Sequence, residues 1–237
     1  MQSYDDFIST VSHELRTPLT SIRGFAQTML QSYDKLDDEN KKKFLKIIEE
    51  QSNRLIHLIE NMLKVQNNDT IIFKAVSAKP LIEDVLQIIK QQYKEHNFIL
   101  KYNEKLPKIL VDTDKFQQVM TNLIENAAKY SNKGTTVTII TDFANIEDFI
   151  SIKIQDHGVG IDEENLDKIF EKFSRIDNPL TRKVQGSGLG LYITKILVTK
   201  MNGKINVKSS EQGTTFEVEI PSENIEKQAR EKCGQLH

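Results

Sequence analysis

Two adjacent residues in "SHELRTPLT" (12–20) have the chemistry for nucleophilic attack and for accepting a proton or hydrogen bond: His13 and Glu14. An imidazole with an ordinary pKa of about 6.5 is mostly neutral at pH 7 and so can act as a nucleophile. Glu14 can accept a hydrogen bond from an imidazole nitrogen or from a bound substrate. Thr17 lies one helical turn further along the same side. Pro18 has no N–H for the Glu14 carbonyl, and its ring should bend the helix beside the histidine. An H-E-x-x-H zinc helix is excluded, because the fifth position is Thr17. A lone exposed histidine is most often a solvated surface residue, so its reading depends on what accompanies it.

Three further stretches accompany it. "DHGVGI" (156–161) ends a strand and sets Asp156 at its mouth, where a carboxylate can accept from an exocyclic amine. "GSGLGL" (186–191) opens a helix, where free backbone N–H groups and the helix dipole favour phosphate. Neither fits a Walker loop or a dinucleotide fingerprint. Between them runs "FEKFSRIDNPLTRKVQ", long enough for a lid, whose Arg175, Arg182 and Lys183 could meet phosphate charge or simply be solvated. "NLIENAAKY" (122–130) places Asn122 and Asn126 one turn apart, with Lys129 and Tyr130 continuing that side. Amide oxygens suit Mg²⁺ as hard ligands; asparagines in a helix can equally serve only to satisfy loops.

The elements that must position these groups fall into two regions. In residues 4–66, Tyr4, Ile8, Val11, Leu15, Pro18, Ile22, Phe25 and Met29 repeat at alternating spacings of four and three. Phe44, Ile48, Gln51, Leu55, Leu58, Met62 and Val65 do the same, which predicts two long helices with a coiled-coil-like seam. "SYDKLDDEN" makes the turn, with Asp37 or Asp38 as N-cap. In this register His13 falls at position f, facing water. Two helices bury only a narrow stripe, so the economical arrangement is a four-helix bundle from two chains, a homodimer. A two-helix arm packed on the chain's own second domain is the alternative.

"VQNNDT" reads as a linker, with 67–70 separating 1–66 from a second domain at 71–221 and a polar tail at 222–237. The second domain mixes elements. Strands are expected at "TIIFKAV", "NFILKYN" and "ILV", helices at "SAKPLIEDVLQIIKQQYKEH", "DTDKFQQVMTNLIENAAKYS" and "GLGLYITKILVTKM", and hairpins at 135–156 and 203–221. That order predicts an α+β chain: a helical hairpin followed by a sandwich of helices on one mixed sheet.

Bulk properties narrow the classes. A net charge of −2 provides no basic field for nucleic acid or an anionic membrane. The single cysteine, Cys233, cannot form an internal disulfide, which suits a reducing compartment. No run reaches the roughly 20 apolar residues of a membrane span. A cytoplasmic location is expected, with any membrane anchor in a sensory region outside this sequence.

Taken together, the motifs resemble those of the catalytic core of sensor histidine kinases of two-component systems. "SHELRTPLT" matches the phosphoacceptor box, "NLIENAAKYS" the N box, "DHGVGI" the first glycine box, "FEKF" the F box, "GSGLGL" the second glycine box and "GTTF" the last glycine-threonine strand. They stand in family order and spacing from about Ser3 to Pro221. The resemblance implies an ATP-dependent protein-histidine kinase that phosphorylates His13, with Glu14 as general base and Thr17 orienting water in a phosphatase reaction. It implies Asn126 as the Mg²⁺ ligand, Asn122 and Lys129 near the phosphates, and Tyr130 beside the nucleoside. Asp156 would bind the adenine amino group, aided by Thr214. Gly158, Gly160, Gly186, Gly188, Leu189, Gly190 and Arg175 would line the nucleotide, with Phe170 and Phe173 anchoring the lid. The implied partners are a second copy and the receiver domain of a response regulator, whose aspartate takes the phosphoryl group. His157 stands where the family usually has asparagine, and Ser174 where an aromatic often precedes Arg175. A related ATPase of the chaperone or topoisomerase type, or a nucleotide-binding scaffold without turnover, are the alternatives.

Overall fold

The computed structural model describes the backbone of residues 4–66, 70–174 and 188–225, and their side chains except at 4–10, 13, 57 and 61–66. The chain divides into two compact units, Met1–Asn68 and Asp69–His237.

The first unit is a helical hairpin. Helix α1 (Tyr4–Ser32) runs through Pro18 as one helix, and α2 (Asp38–Gln66) returns after a short 3-10 turn at Tyr33–Lys35. Asp37 is the N-cap of α2: its Oδ1 accepts from the Asn40 N–H at 2.7 Å, which satisfies one of the helix's orphan donors. Among the heptad residues whose side chains are described, the Phe25 and Phe44 rings stand 5.1 Å apart across the two helices and Leu58 is buried at 1% exposure.

The second unit stacks helices on a five-stranded mixed sheet. Its strands are β2 (Asn97–Tyr102), β4 (Thr136–Phe143), β5 (Phe149–Gln155), β7 (Gly213–Pro221) and β6 (Lys204–Ser210), adjacent in that order. Only β2–β4 is parallel, and α4 supplies its crossover. The core lies between the sheet and α3 (Ala78–Gln92), α4 (Thr113–Tyr130) and α5 (Gly190–Lys200), with Phe116, Ile124, Ile139, Ile152 and Ile154 at 0% exposure.

Three expectations are corrected. The strand foreseen over "TIIFKAV" shortens to β1 (Lys74–Val76), which pairs with β3 (Ile109–Val111) as a separate two-stranded sheet. The Ile72 N–H instead donates to Asp112 Oδ2 at 3.1 Å, so a side chain takes the place of a strand partner. The helix foreseen to His96 ends at Gln92, where the Tyr93 N–H closes it on the Ile89 carbonyl at 2.9 Å. Residues 222–225, expected in the tail, belong to this unit: the Ser222 N–H donates to the Asp148 carbonyl at 2.7 Å.

Candidate functional site

Helix α4 begins where Asp112 caps it, its Oδ1 accepting from the Lys115 N–H at 3.2 Å. Its buried face carries Phe116, Met120, Leu123 and Ala127, which leaves Asn122 and Asn126 half-buried on the adjoining side. Asp156 follows β5 and is only 5% exposed. Its Oδ1 accepts from the N–H groups of Gly158 at 2.9 Å and Thr214 at 3.0 Å, which leaves Oδ2 for a ligand. Burial raises the Asp156 pKa above the ordinary value; the two N–H donors pull the other way and do not cancel it.

The motifs close on one another around this carboxylate. An antiparallel bridge between Ser131 and Gly158 joins the end of α4 to the first glycine box. The Asp156 N–H donates to the Thr214 carbonyl at 2.9 Å, joining that box to β7. A Cβ on Gly160 would stand 2.1 Å from the Ser210 carbonyl, so the box also presses on the β6–β7 turn. Asn122 Nδ2 donates to the Gly190 carbonyl at 3.4 Å, joining α4 to α5. Gly188 packs against the backbone of Phe173: its Cβ would meet the Phe173 carbonyl carbon at 2.6 Å, so the F box and the second glycine box meet. The Phe170 ring stands edge-on to Phe216 of β7 at 6.4 Å. Five motifs separated in sequence thus share one continuous set of contacts.

Other expected residues are placed less simply. The close neighbour of Gly188 is the chain itself, whereas a Cβ on Gly190 would meet nothing within 4 Å. Leu189, fully buried, precedes α5 as its N-cap residue. Tyr130 is 39% exposed at the end of α4. Thr214 is buried beside Asp156. Arg175 and Gly186 lie outside the described residues, as does the His13 side chain, although its backbone is within α1. In the first unit, Glu14 Oε2 is 3.6 Å from Arg54 Nη2 of α2, and Thr17 is exposed.

Two family models match the chain: the histidine kinase A (phospho-acceptor) domain over residues 3–71, and the histidine kinase-, DNA gyrase B- and HSP90-like ATPase over residues 111–224. Sensor protein SrrB of Staphylococcus aureus is 35% identical over 226 residues, covering 93% of this chain and 38% of that protein. Sensor protein kinase WalK of Staphylococcus aureus is 34% identical, covering 93% of this chain and 54% of its own length. The chain belongs to the histidine kinase family. It spans well under two thirds of either relative. Among solved structures, histidine kinase ThkA in complex with response regulator protein TrrA matches 92% of this chain and 61% of that one at 25% identity, with a TM-score of 0.75. Acinetobacter baumannii histidine kinase AdeS shares the fold at 24% identity, covering 89% of this chain and 98% of its own, with a TM-score of 0.69.

This kinase core has no cluster of three His, Cys, Asp or Glu side chains suited to a metal among its described residues. The donors it does offer, the amide oxygens on α4, fit a magnesium ion whose remaining ligands are phosphates and water. Lys129 donates to Glu125 Oε2 at 2.7 Å. Its partial burial works against the ammonium, but the Glu125 hydrogen bond and charge outweigh this and raise its pKa.

Sequence reasoning missed Ser209. Its Oγ accepts from the Ile161 N–H at 2.8 Å and lies 2.8 Å from Thr214 Oγ1, which ties β6 to both the first glycine box and the threonine. A signal existed: Ser209 takes the half-buried alternate position after Ile205 and Val207 on β6. His157 is explained as well. Its Nδ1 lies 3.0 Å from the Thr136 carbonyl and must donate to it, so the ring ties the box to β4.

Proposed function

We propose that this chain transfers the terminal phosphoryl group of ATP to His13 and passes it on to an aspartate of a response regulator, with Thr17 serving a phosphatase reaction on that partner. The observation that carries the reading is the single set of contacts around Asp156, one of whose oxygens is held by backbone while the other remains for a base. An exocyclic amine donates to Asp156 Oδ2, and Thr214 lies beside it. The first turn of α5, with nothing near the Cβ position of Gly190, presents backbone N–H groups to phosphate. Asn126 holds Mg²⁺, which when bound neutralises charge on the phosphates. Lys129 adds a cation when it turns from Glu125 to the nucleotide. The P–N bond forms as the imidazole attacks and ADP leaves, while Glu14 takes the imidazole proton. Arg54 keeps the Glu14 carboxylate in place beforehand.

The partner reading draws on the response regulator bound to ThkA. The dimer reading draws on the hairpin, which leaves Leu19, Leu30, Leu45, Ile56 and Ile59 between 46% and 83% exposed in one chain. Because the chain matches the phospho-acceptor domain as well as the ATPase domain, transfer to a histidine is favoured over simple hydrolysis. Incubation with γ-labelled ATP and Mg²⁺ should label the protein with an acid-labile, alkali-stable bond. His13→Gln should abolish the label, and Asn126→Ala should fold yet lose it. Acid-stable label that persists in His13→Gln, or none in the wild type, overturns the reading.

A further inference from the structure

Thr194 belongs to none of the motifs that carry chemistry, yet it is polar and fully buried at 0% exposure on α5. Its Oγ1 donates to the Gly190 carbonyl at 2.9 Å, the back-bond open to a threonine inside a helix. With its one proton committed there, the hydroxyl offers only lone pairs to its other neighbour. That neighbour is Asn122, whose Nδ2 stands 3.3 Å from Thr194 Oγ1 and 3.4 Å from the Gly190 carbonyl. Both α5 groups accept. The Asn122 amide must therefore turn its NH₂ to α5 and its Oδ1 away; the reversed amide would set an oxygen against two acceptors.

This orientation limits what Asn122 can bind. Phosphate oxygens are acceptors, so an amide oxygen cannot meet them. A divalent cation, or a water in its shell, can be met. Asn126 lies one turn along the same helix and is the neighbour that Asn122 Oδ1 would assist. We propose that Thr194 is a positioning residue that fixes Asn122 oxygen-outward, so that Asn122 serves the magnesium side of the bound nucleotide with Asn126. The inference rests on the ATP–Mg²⁺ reading of this site.

The test measures affinity for a non-hydrolysable ATP analogue by calorimetry on the whole chain, once with Mg²⁺ and once with EDTA. The ratio of the two affinities reports the metal's contribution. Thr194→Val keeps the shape and removes the hydroxyl. It should leave the EDTA affinity unchanged and weaken the Mg²⁺ affinity about three- to tenfold, the loss of one neutral hydrogen bond. Thr194→Ser should restore the ratio, and Thr194→Val should add nothing in an Asn122→Ala background. Thr194→Ala, which also lacks the hydroxyl, replaces the valine variant if that one does not fold. A wild-type ratio in Thr194→Val, or its full effect persisting in Asn122→Ala, overturns the proposal, since packing alone would not move the ratio. A wild type that binds no ATP analogue overturns the functional reading itself, and this proposal with it.

Discussion

The hairpin and the nucleotide-binding unit solve the burial problem to different extents. Among the described residues of α1 and α2, Leu58 is the large apolar side chain that reaches 1% exposure, while Leu30 stands at 83% and Leu19 at 58%. In the second unit, Phe116, Val119, Leu123, Ile139 and Val218 are all at 0%. Two helices can hide only one stripe, whereas helices laid on a five-stranded sheet make two complete layers. The hairpin therefore leaves apolar side chains uncovered, the surface that the proposed second copy would complete, whereas the sheet unit covers its own core. Glycine shows the same contrast. A Cβ on Gly24 of α1 would meet nothing within 4 Å, while one on Gly213 would stand 2.1 Å from the Asp156 carbonyl.

The same substitution should thus act with opposite sign in the two regions. Gly213 has φ +131°, a conformation that L side chains rarely adopt. Gly213→Ala adds that strain to the clash with the Asp156 backbone, so a loss of about 3 kcal/mol or more is expected in the unfolding of this unit. The damage should reach function, because Thr214 follows directly and binds Asp156 through both its N–H and its carbonyl. Denaturant melts with and without nucleotide measure both effects. Wild-type melting in this variant would mean that the turn relaxes freely, which would remove the contrast.

Asp156→Asn probes the closed core from within. Burial raises the Asp156 pKa, so between the unfolded and folded values the folded chain holds more protons. Stability from this group is then greatest in acid and is lost as pH rises through the folded pKa. Above that pH the ionised carboxylate costs stability. The asparagine variant, which has no such charge, should melt higher than the ligand-free wild type at neutral pH, with the gap closing as pH falls below the ordinary carboxylate range. It should also bind ATP more than about tenfold more weakly, because it lacks the carboxylate proposed to accept from the base amine. Thermal melts over a pH series together with a binding isotherm check both halves.

Most of this architecture was legible in the sequence because its signals are local. The heptads of α1 and α2 and the hairpin of β6 and β7 follow from spacing and turn residues, and the motifs stand out through their resemblance to a known family. The parts that were not legible depend on partners distant in the chain. Strand β1 is cut short because Ile72 finds the Asp112 carboxylate, forty residues away. Ser209 and Thr194 take meaning only once β7 and α4 lie beside them. Gly158 and Gly160 were expected to line the nucleotide, but what crowds their Cβ positions is the protein's own Tyr130 and Ser210 carbonyls.

The smallest expected effect tests the hairpin's open side. Gly24 falls at heptad position c of α1, exposed, with no neighbour around its Cβ position. Glycine in a helix interior costs about 0.5–1 kcal/mol relative to alanine. Gly24→Ala should therefore stabilise the hairpin by that amount, read as a rise in its melting temperature at fixed protein concentration. The sign carries more than the size. If the second copy packed over position c rather than along the exposed leucines and isoleucines, the added methyl would collide with it. The melting temperature would then fall and become more sensitive to dilution. A rise at every concentration places the completing surface elsewhere on the helices, and leaves Gly24 facing water.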